Sequence, residues 1–487
     1  MMITLNEISI DLEKDIDFHH ILNSQQIGAL ETMVEFIESS TQICTMQGSA
    51  GVGKTTIVKI LLHYLMIGRS DRMPLLCAPT HKARMVLQRA SNEQVATIHS
   101  ILNLKPNLDV ALFDARELDF LSEPILPMFA FDKYKKQRVG IPYKGLLIID
   151  EASMINDDLF DLISKRCKEK QCKVLFIGDI AQLQPVKQGG ISKVFVETDD
   201  KFTIKLTKVE RQADGNPLLE VLTVLRDKPV FKYTTHLVNN VGIIQYDAQL
   251  EFFRAIKNIM NPDAIIADPY RSRILTYTNK NVVKYNRAIR KIMGYTDEIV
   301  VGDLLMAFDN FGKATEPVLT NSCDYLVLDK RDYNIDIPEF GMVPGYRLEL
   351  RDLAVIDGTD KKILFLIRND LQPYIYEAIA TAMERIRVKA MAAKKAGKSW
   401  AGMLWKQFYS INETVASMQD LVYDGRVIKK KCISYGYAHT IHKSQGATYD
   451  NVFVDMTDIT KCSDQNELRQ LQYVALSRAR NKAHILT

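Results

Sequence analysis

The stretch Gly48-Ser49-Ala50-Gly51-Val52-Gly53-Lys54-Thr55-Thr56 constrains this chain more than any other part of it. It reads glycine, four residues, then glycine-lysine-threonine, with the apolar Ile43-Cys44-Thr45-Met46 before it and the helix-like Ile57-Val58-Lys59-Ile60-Leu61-Leu62 after it. A strand, a glycine loop and a helix in that order gather backbone N–H groups and the positive end of a helix dipole around one point, which suits phosphate oxygens. The expected ligand is ATP with Mg²⁺. Gly48 to Thr56 would cradle the phosphates, Lys54 would reach the β and γ phosphates, and Thr55 would hold the metal ion.

Further buried-strand patterns recur at Pro74–Cys77, Leu146–Ile149, Lys173–Ile177 and Phe202–Leu206, with helical patterns between several of them. That alternation predicts an α/β fold with a doubly wound parallel sheet, whose phosphate sites belong at the carboxyl ends of the strands. A second set of strands is expected at Arg273–Tyr277, Tyr435–Thr440, Asn451–Val454 and Ala483–Leu486. Its members are interrupted by an insertion in which Tyr325–Leu328, Tyr346–Leu350 and Lys362–Ile367 read as strands of a small barrel. At 487 residues the chain exceeds a single core, so several domains are expected.

From about Tyr374 to Met418 the pattern is helical, broken near Gly397, and both tryptophans, Trp400 and Trp405, fall there. Seven Lys or Arg face one acid between Glu384 and Lys406, so this arm suits either nucleic acid or a solvated helix whose tryptophans dock on the barrel. An earlier insertion, about Leu102 to Tyr143, contains Phe113, Phe120, Phe129 and Phe131. An aromatic there could wedge between base pairs or pack the insertion onto its parent domain.

Composition adds exclusions. The 63 basic and 59 acidic side chains leave a net charge of +4, too small to argue for nucleic acid by itself. Seven scattered cysteines, of which Cys167 and Cys172 are nearest, form no zinc-ligand pattern and suggest free thiols in a reducing compartment. His81, His99 and His442 lack ligand spacing too. Met1 to His20 has no apolar signal core, and no run approaches about 18 apolar residues, so a cytoplasmic protein without a membrane span is expected.

Leu146–Ile149 ends in Asp150-Glu151. There Asp150 would hold Mg²⁺ and Glu151 would act as base toward the attacking water. Gln182, in Gly178-Asp179-Ile180-Ala181-Gln182, could bond a γ-phosphate oxygen or that water, and Arg211 and Arg478 are candidate arginine fingers. Thr440-Ile441-His442-Lys443-Ser444-Gln445-Gly446, Pro79-Thr80-His81-Lys82 and Thr97-Ile98-His99-Ser100 place polar donors just after apolar strands. Pro79, Thr80, His81, Lys82, His99, Thr440, His442 and Lys443 would contact phosphodiesters without reading sequence.

These stretches, in this order, resemble the superfamily 1 helicases, most closely their RecD/Dda branch known from bacteria and tailed phages. Gln26 looks like the adenine-reading glutamine, Gly48–Thr56 like motif I, Pro79–Arg84 like motif Ia and Thr97–Ser100 like motif Ib. Asp150–Ser153 looks like motif II, Gly178–Pro185 like motif III, Arg211 like the arginine of motif IV, Tyr437–Thr448 like motif V and Tyr473–Arg480 like motif VI. Thr-Ile-His-Lys-Ser-Gln-Gly followed by Ala-Leu-Ser-Arg-Ala-Arg is far more specific than motif I. The resemblance implies two RecA-like P-loop NTPase domains with ATP between them, Gln26, Gln445 and Gly446 joining the nucleotide site, and single-stranded DNA across their top.

It further implies a first RecA-like domain at 1–101 and 144–215, a pin or wedge at 102–143, a second RecA-like domain at 216–300 and 432–487, and an SH3-like β-barrel with a basic helical arm at 301–431. The implied activity is ATP-dependent translocation 5′ to 3′ with duplex unwinding, in replication or recombination, by a monomer on single-stranded and forked DNA. Single-strand-binding or replisome proteins are candidate partners. An ATP-switched clamp and a helicase acting on RNA stay open as alternatives; a P-loop kinase has no evident use for Tyr437–Arg480.

Overall fold

Alternating strands and helices dominate both ends of the chain in a computed structural model that describes residues 22–49, 51–66, 70–106, 129–131, 140–185, 191–208, 215–296, 298–313, 316–353 and 360–487. The chain forms two compact units. One holds the described residues up to Val230 with Gln445–Ala447 and Asp464–Ser477; the other holds Phe231–Ser444, Thr448–Ser463 and Arg478–Thr487. No helix among the described residues is long and apolar enough to cross a membrane.

The first unit contains α1 (Ser24–Glu38), β1 (Ile43–Gly48), α2 (Lys54–Tyr64), β2 (Pro74–Ala78), α3 (His81–Ser91), β3 (Val95–Thr97), β4 (Leu104–Pro106), β5 (Phe129–Phe131), β6 (Leu146–Ile149), α4 (Asp157–Glu169), β7 (Lys173–Gly178), β8 (Thr203–Leu206) and α5 (Pro217–Leu225). Six of these strands form a parallel sheet in the order β3-β2-β6-β7-β1-β8. Every residue of β6 and β7 is buried, as in a sheet with both faces covered. Strand alternation sends Cys44, Met46, Ile148 and Ile177 to one face, against Met33 and Phe36 of α1 and Ile57 and Leu61 of α2. It sends Leu147, Ile149, Val174 and Phe176 to the other, against Leu159, Phe160 and Ile163 of α4. Of the early insertion, β4 and β5 pair antiparallel; Phe113 and Phe120 lie outside the described residues.

The second unit adds β9 (His236–Val238), β10 (Val241–Tyr246), α6 (Gln249–Ile259), β11 (Ser272–Thr276), α7 (Asn279–Ile292), β12 (Leu304–Ala307), β13 (Phe311–Lys313), β14 (Glu316–Leu319), β15 (Asp324–Ile337), β16 (Gly341–Asp352), β17 (Lys361–Ile367), α8 (Pro373–Lys395), α9 (Ala401–Thr414), β18 (Leu421–Tyr423), β19 (Arg426–Lys429), β20 (Ile433–Tyr435), β21 (Ala438–Thr440), β22 (Tyr449–Asp455) and β23 (Ala479–Leu486). Its main sheet runs β21-β11-β22-β23-β10-β9, parallel except for β9. Inserted in it is an antiparallel sheet, β17-β16-β15-β12-β20.

Tyr435–Thr440, which reads as one strand in the sequence, is two. β20 pairs with β12 in the inserted sheet, whereas β21 pairs with β11 in the parallel sheet. The break falls at Gly436, where a Cβ would lie 3.1 Å from the Leu305 carbonyl carbon, and at Tyr437, whose hydroxyl donates to Asp303 at 2.9 Å. Two buried ion pairs hold the inserted sheet to the parallel one. Arg273 of β11 meets Asp324 of β15 at 3.0 Å, both side chains wholly buried, and Arg290 of α7 forms a forked pair with Asp303 at 2.9 and 3.0 Å.

β15 and β16 extend far beyond the short barrel strands read from the sequence, and α8 packs on their outer half through Ile379, Met383 and Ile386. The two tryptophans separate: Trp405 packs against this core, while Trp400 stays 47% exposed. The first unit is completed by α10 (Gln465–Ser477), whose Gln472 side chain exchanges hydrogen bonds with the Val230 main chain.

Candidate functional site

Register brings motifs I, II and III of the first unit to neighbouring strand ends. Gln47 is paired with Gly178, and Ile149 with both Cys77 and Phe176, so the loops after β1, β2, β6 and β7 leave the same carboxyl edge. Gly51 and Gly53 hold φ of +88° and +85°, which a side chain would oppose, and at Gly53 a Cβ would also meet the Gln26 amide nitrogen at 2.3 Å. Gly53 precedes α2 without any side-chain cap, which suits the phosphate cradle expected there. Ala50 lies outside the described residues; Gly48, Ser49, Val52, Lys54, Thr55 and Thr56 do not. Lys54 Nζ donates to the carbonyls of Gly48 and Ser49 at 2.7 and 2.9 Å.

Gln26 is buried by the α1 capping box, in which its N–H and amide oxygen exchange bonds with Asn23, and its amide nitrogen donates to Val52 O at 3.2 Å. The glutamine is thereby fixed against the phosphate loop. Asp150 accepts the Glu151 N–H at 2.9 Å, and Glu151 itself takes a left-handed backbone with φ 53°. Burial pushes the Asp150 carboxyl above the usual carboxylate range, with the Lys54 ammonium and the Glu151 N–H pulling the other way. Ser49 Oγ, Ser153 Oγ and Gln182 Oε1 are buried without a hydrogen-bond partner, one each from the three motifs. Buried polar atoms of this kind call for a partner, which a bound ligand or an ordered water supplies.

Asp179 and Tyr473 were not singled out by the sequence reading, yet the Tyr473 hydroxyl donates to Asp179 at 2.7 Å, both residues buried. Gln445 also belongs to this unit, donating to Leu183 O at 3.3 Å, and Gly446, at φ +76°, runs against Ala83 of α3, where a Cβ would come within 3.3 Å. The signal for these contacts was only the density of polar residues around each motif. Pro79, Thr80, His81 and Lys82 follow β2: Thr80 caps α3 by accepting the Ala83 N–H at 3.1 Å, and Thr97 caps the short helix that carries His99. Burial, with Arg84 and His99 adding to it, lowers His81 to about 4, and burial lowers His99. Both imidazoles are therefore neutral near pH 7 and can serve as hydrogen-bond partners rather than as cations.

In the second unit the candidates divide between two edges of the sheet. Thr440 ends β21 and His442 and Lys443 follow it, with Lys443 Nζ 3.7 Å from the Phe308 ring centroid. Arg478 is buried at the amino end of β23, its carbonyl accepting the Tyr449 N–H at 2.9 Å. Arg211 lies outside the described residues.

A family model described as an AAA domain matches residues 21–245, and one described as a UvrD-like helicase C-terminal domain matches residues 435–486. The ATP-dependent DNA helicase dda of Enterobacteria phage T4 is 26% identical over 479 residues, spanning 94% of this chain and 98% of that one. Along nearly its whole length the chain thus resembles the superfamily 1 helicases of the RecD/Dda type. The RecBCD enzyme subunit RecD of Buchnera aphidicola is 26% identical over 214 residues, covering 43% of this chain and 34% of its own length. Among solved structures, the Pif1 helicase from Candida albicans is 18% identical at a TM-score of 0.49, with 96% of this chain and 94% of that one covered.

Proposed function

We propose that this chain is an ATP-dependent DNA helicase that moves 5′ to 3′ along single-stranded DNA and separates duplex strands, working as a cytoplasmic monomer on single-stranded and forked DNA. The observation that carries the nucleotide part is the convergence of Lys54, Asp150 and three buried unbonded oxygens, Ser49 Oγ, Ser153 Oγ and Gln182 Oε1, on motifs that share one strand edge. Three such atoms at adjacent loops favour a polyanion that carries its own waters and metal over a dry packing contact. Thr55 and Asp150 supply the hard oxygen donors that Mg²⁺ takes, and the ion when bound would neutralise charge on the phosphates.

The roles of the residues follow from their chemistry. Lys54 exchanges its two carbonyl partners for phosphate oxygens. Glu151 takes the proton of the attacking water, which Gln182 orients, and Arg211 and Arg478 offset negative charge on the transferred phosphoryl group. Gln26 recognises the adenine edge through its amide, held in place by Asn23 and Val52. Pro79, Thr80, His81, Lys82, His99, Thr440, His442 and Lys443 are the proposed phosphodiester contacts. These contacts hold backbone and not base edges, so the strand can slide. The aromatic early insertion is proposed as the strand-separating pin, and the inserted antiparallel sheet with its helices as the SH3-like barrel and arm.

The test is ATP hydrolysis with and without single-stranded DNA. The reading predicts DNA-stimulated turnover in the native chain and none in Lys54→Ala. Stimulated turnover persisting in that variant contradicts the site.

A further inference from the structure

The hairpin β15–β16 carries a charged surface far from motif V. β20, which leads into motif V, is joined through β12 to the base of β15 at Asp324, and the hairpin turns at residues 338–340. The 14 residues of β15 put that turn roughly 40 Å from the base at about 3.3 Å per residue. α8 lies along the outer half of the hairpin, its Met383 and Ile386 in one core with Ile335, Ile337 and Val343, and Lys389 binds Glu339 of the turn at 3.0 Å. Past that point come Lys394, Lys395 and Lys398, then Trp400 and α9.

The tip is rich in cations that no acid among the described residues neutralises. Glu384, the one acid between residues 384 and 406, is bound by Arg387 at 2.7 Å. Arg385, Lys394, Lys395, Lys398 and Lys406 are exposed, and their side chains pair with no acid among the described residues. Trp400, 47% exposed, and Met403, 63% exposed, sit beside them. Trp405 is the tryptophan that the core needs; Trp400 is not. The tip therefore offers solvent a run of cations together with an exposed indole, a combination that suits a polyanionic partner.

We propose that this tip binds the phosphate backbone of duplex DNA through Lys394, Lys395 and Lys398, with Trp400 lying against the sugar edge. The inference rests on the chain acting on DNA. Duplex fits better than single strand on two grounds. Binding of single strands relies on successive stacking rings, and among the described residues 384–406 Trp400 is the one exposed ring. A duplex is straight over this distance, its persistence length being about 50 nm, so it can reach a point roughly 40 Å away, about 12 base pairs, without being ordered for the purpose.

The experiment compares the native full chain with Lys394→Gln/Lys395→Gln/Lys398→Gln on a single-stranded tail, on the same tail joined to about 6 or about 24 base pairs, and on a blunt duplex, across a salt series without ATP. The native chain is expected to bind the long fork about tenfold more tightly than the tail alone, and the short fork no more tightly than the tail. The triple variant should lose that increment, with its salt slope on the long fork smaller by about 2.7 for three phosphates, while tail affinity and tail-stimulated ATP hydrolysis stay unchanged. An unchanged increment, or an equal loss on the tail, overturns the assignment. So does equal competition by polyglutamate, which would point to an acidic protein instead.

If the native chain fails to bind the tail at all, the proposed function falls, and the blunt duplex still judges the tip by the same slope difference. In Trp405→Phe, where Trp400 is the sole tryptophan, the long duplex should shield the indole from acrylamide quenching. An unshielded indole removes Trp400 from the surface.

Discussion

Glu151 holds a backbone conformation that a non-glycine residue adopts at a cost of order 1–3 kcal/mol, and it does so next to the buried carboxyl of Asp150. Strain of this kind persists where the surroundings over-determine it, here through the Asp150 oxygen that accepts the Glu151 N–H. The two acids are adjacent in sequence yet differ in setting: Asp150 faces Lys54, whereas Glu151 turns away from the strand direction. That difference supports the proposed roles, Asp150 on the metal side and Glu151 as base. Glu151→Gln keeps the shape and removes the basic oxygen, so it is expected to bind ATP as the native chain does while turnover falls by about 10² to 10⁴. Fluorescent-nucleotide binding and single-turnover hydrolysis separate the two effects; normal hydrolysis in that variant would assign the base to another group.

At the scale of elements, the second unit depends on two buried ion pairs, Arg273–Asp324 between its parallel and inserted sheets and Arg290–Asp303 between α7 and the residue before β12. Arg273 and Asp324 are wholly buried, and the guanidinium also lies 5.1 Å from the Tyr449 ring. Asp324→Ala leaves that cation buried and unpaired, which costs about 3–5 kcal/mol, whereas replacing both partners by apolar residues of similar volume recovers most of it. Denaturant unfolding of the single and double variants measures this, and a single-variant loss below about 1 kcal/mol would show that water reaches the site.

None of this was visible in the sequence, because ion pairing between Arg273 and Asp324 spans residues that no local pattern connects. The strands were visible. Leu146–Ile149 is apolar throughout because both its faces are covered, and Lys173–Gly178 is buried along its length for the same reason. Tyr435–Thr440 misled because a glycine inside an apolar run can mark either a bulge or a change of sheet, and only the Leu305 main chain beside Gly436 shows which. The length of β15 and β16 escaped notice since Arg331, Asp332, Tyr333 and Asn334 of β15 are exposed in a row, and Gly341, Pro344 and Gly345 of β16 read as turn residues.

Across the whole molecule, motif order was informative where structure-free pattern could not be. Gln26, the phosphate loop, Asp150 and Gln182 were each assigned by position, and the first unit gathers them at one sheet edge. Gln445 and Gly446 lie against Leu183 and Ala83 within the first compact unit. The second unit separates Thr440 and Lys443, at the carboxyl end of its parallel strands, from Arg478, at the amino end of β23.

The most direct test of the account is ATP-dependent strand separation on two otherwise identical duplexes, one with a 5′ single-stranded tail and one with a 3′ tail. The account predicts unwinding from the 5′ tail only, abolished by Lys54→Ala. Unwinding from the 3′ tail alone would contradict the direction of travel, and strand separation from neither tail, with ATP hydrolysis intact, would contradict the helicase itself.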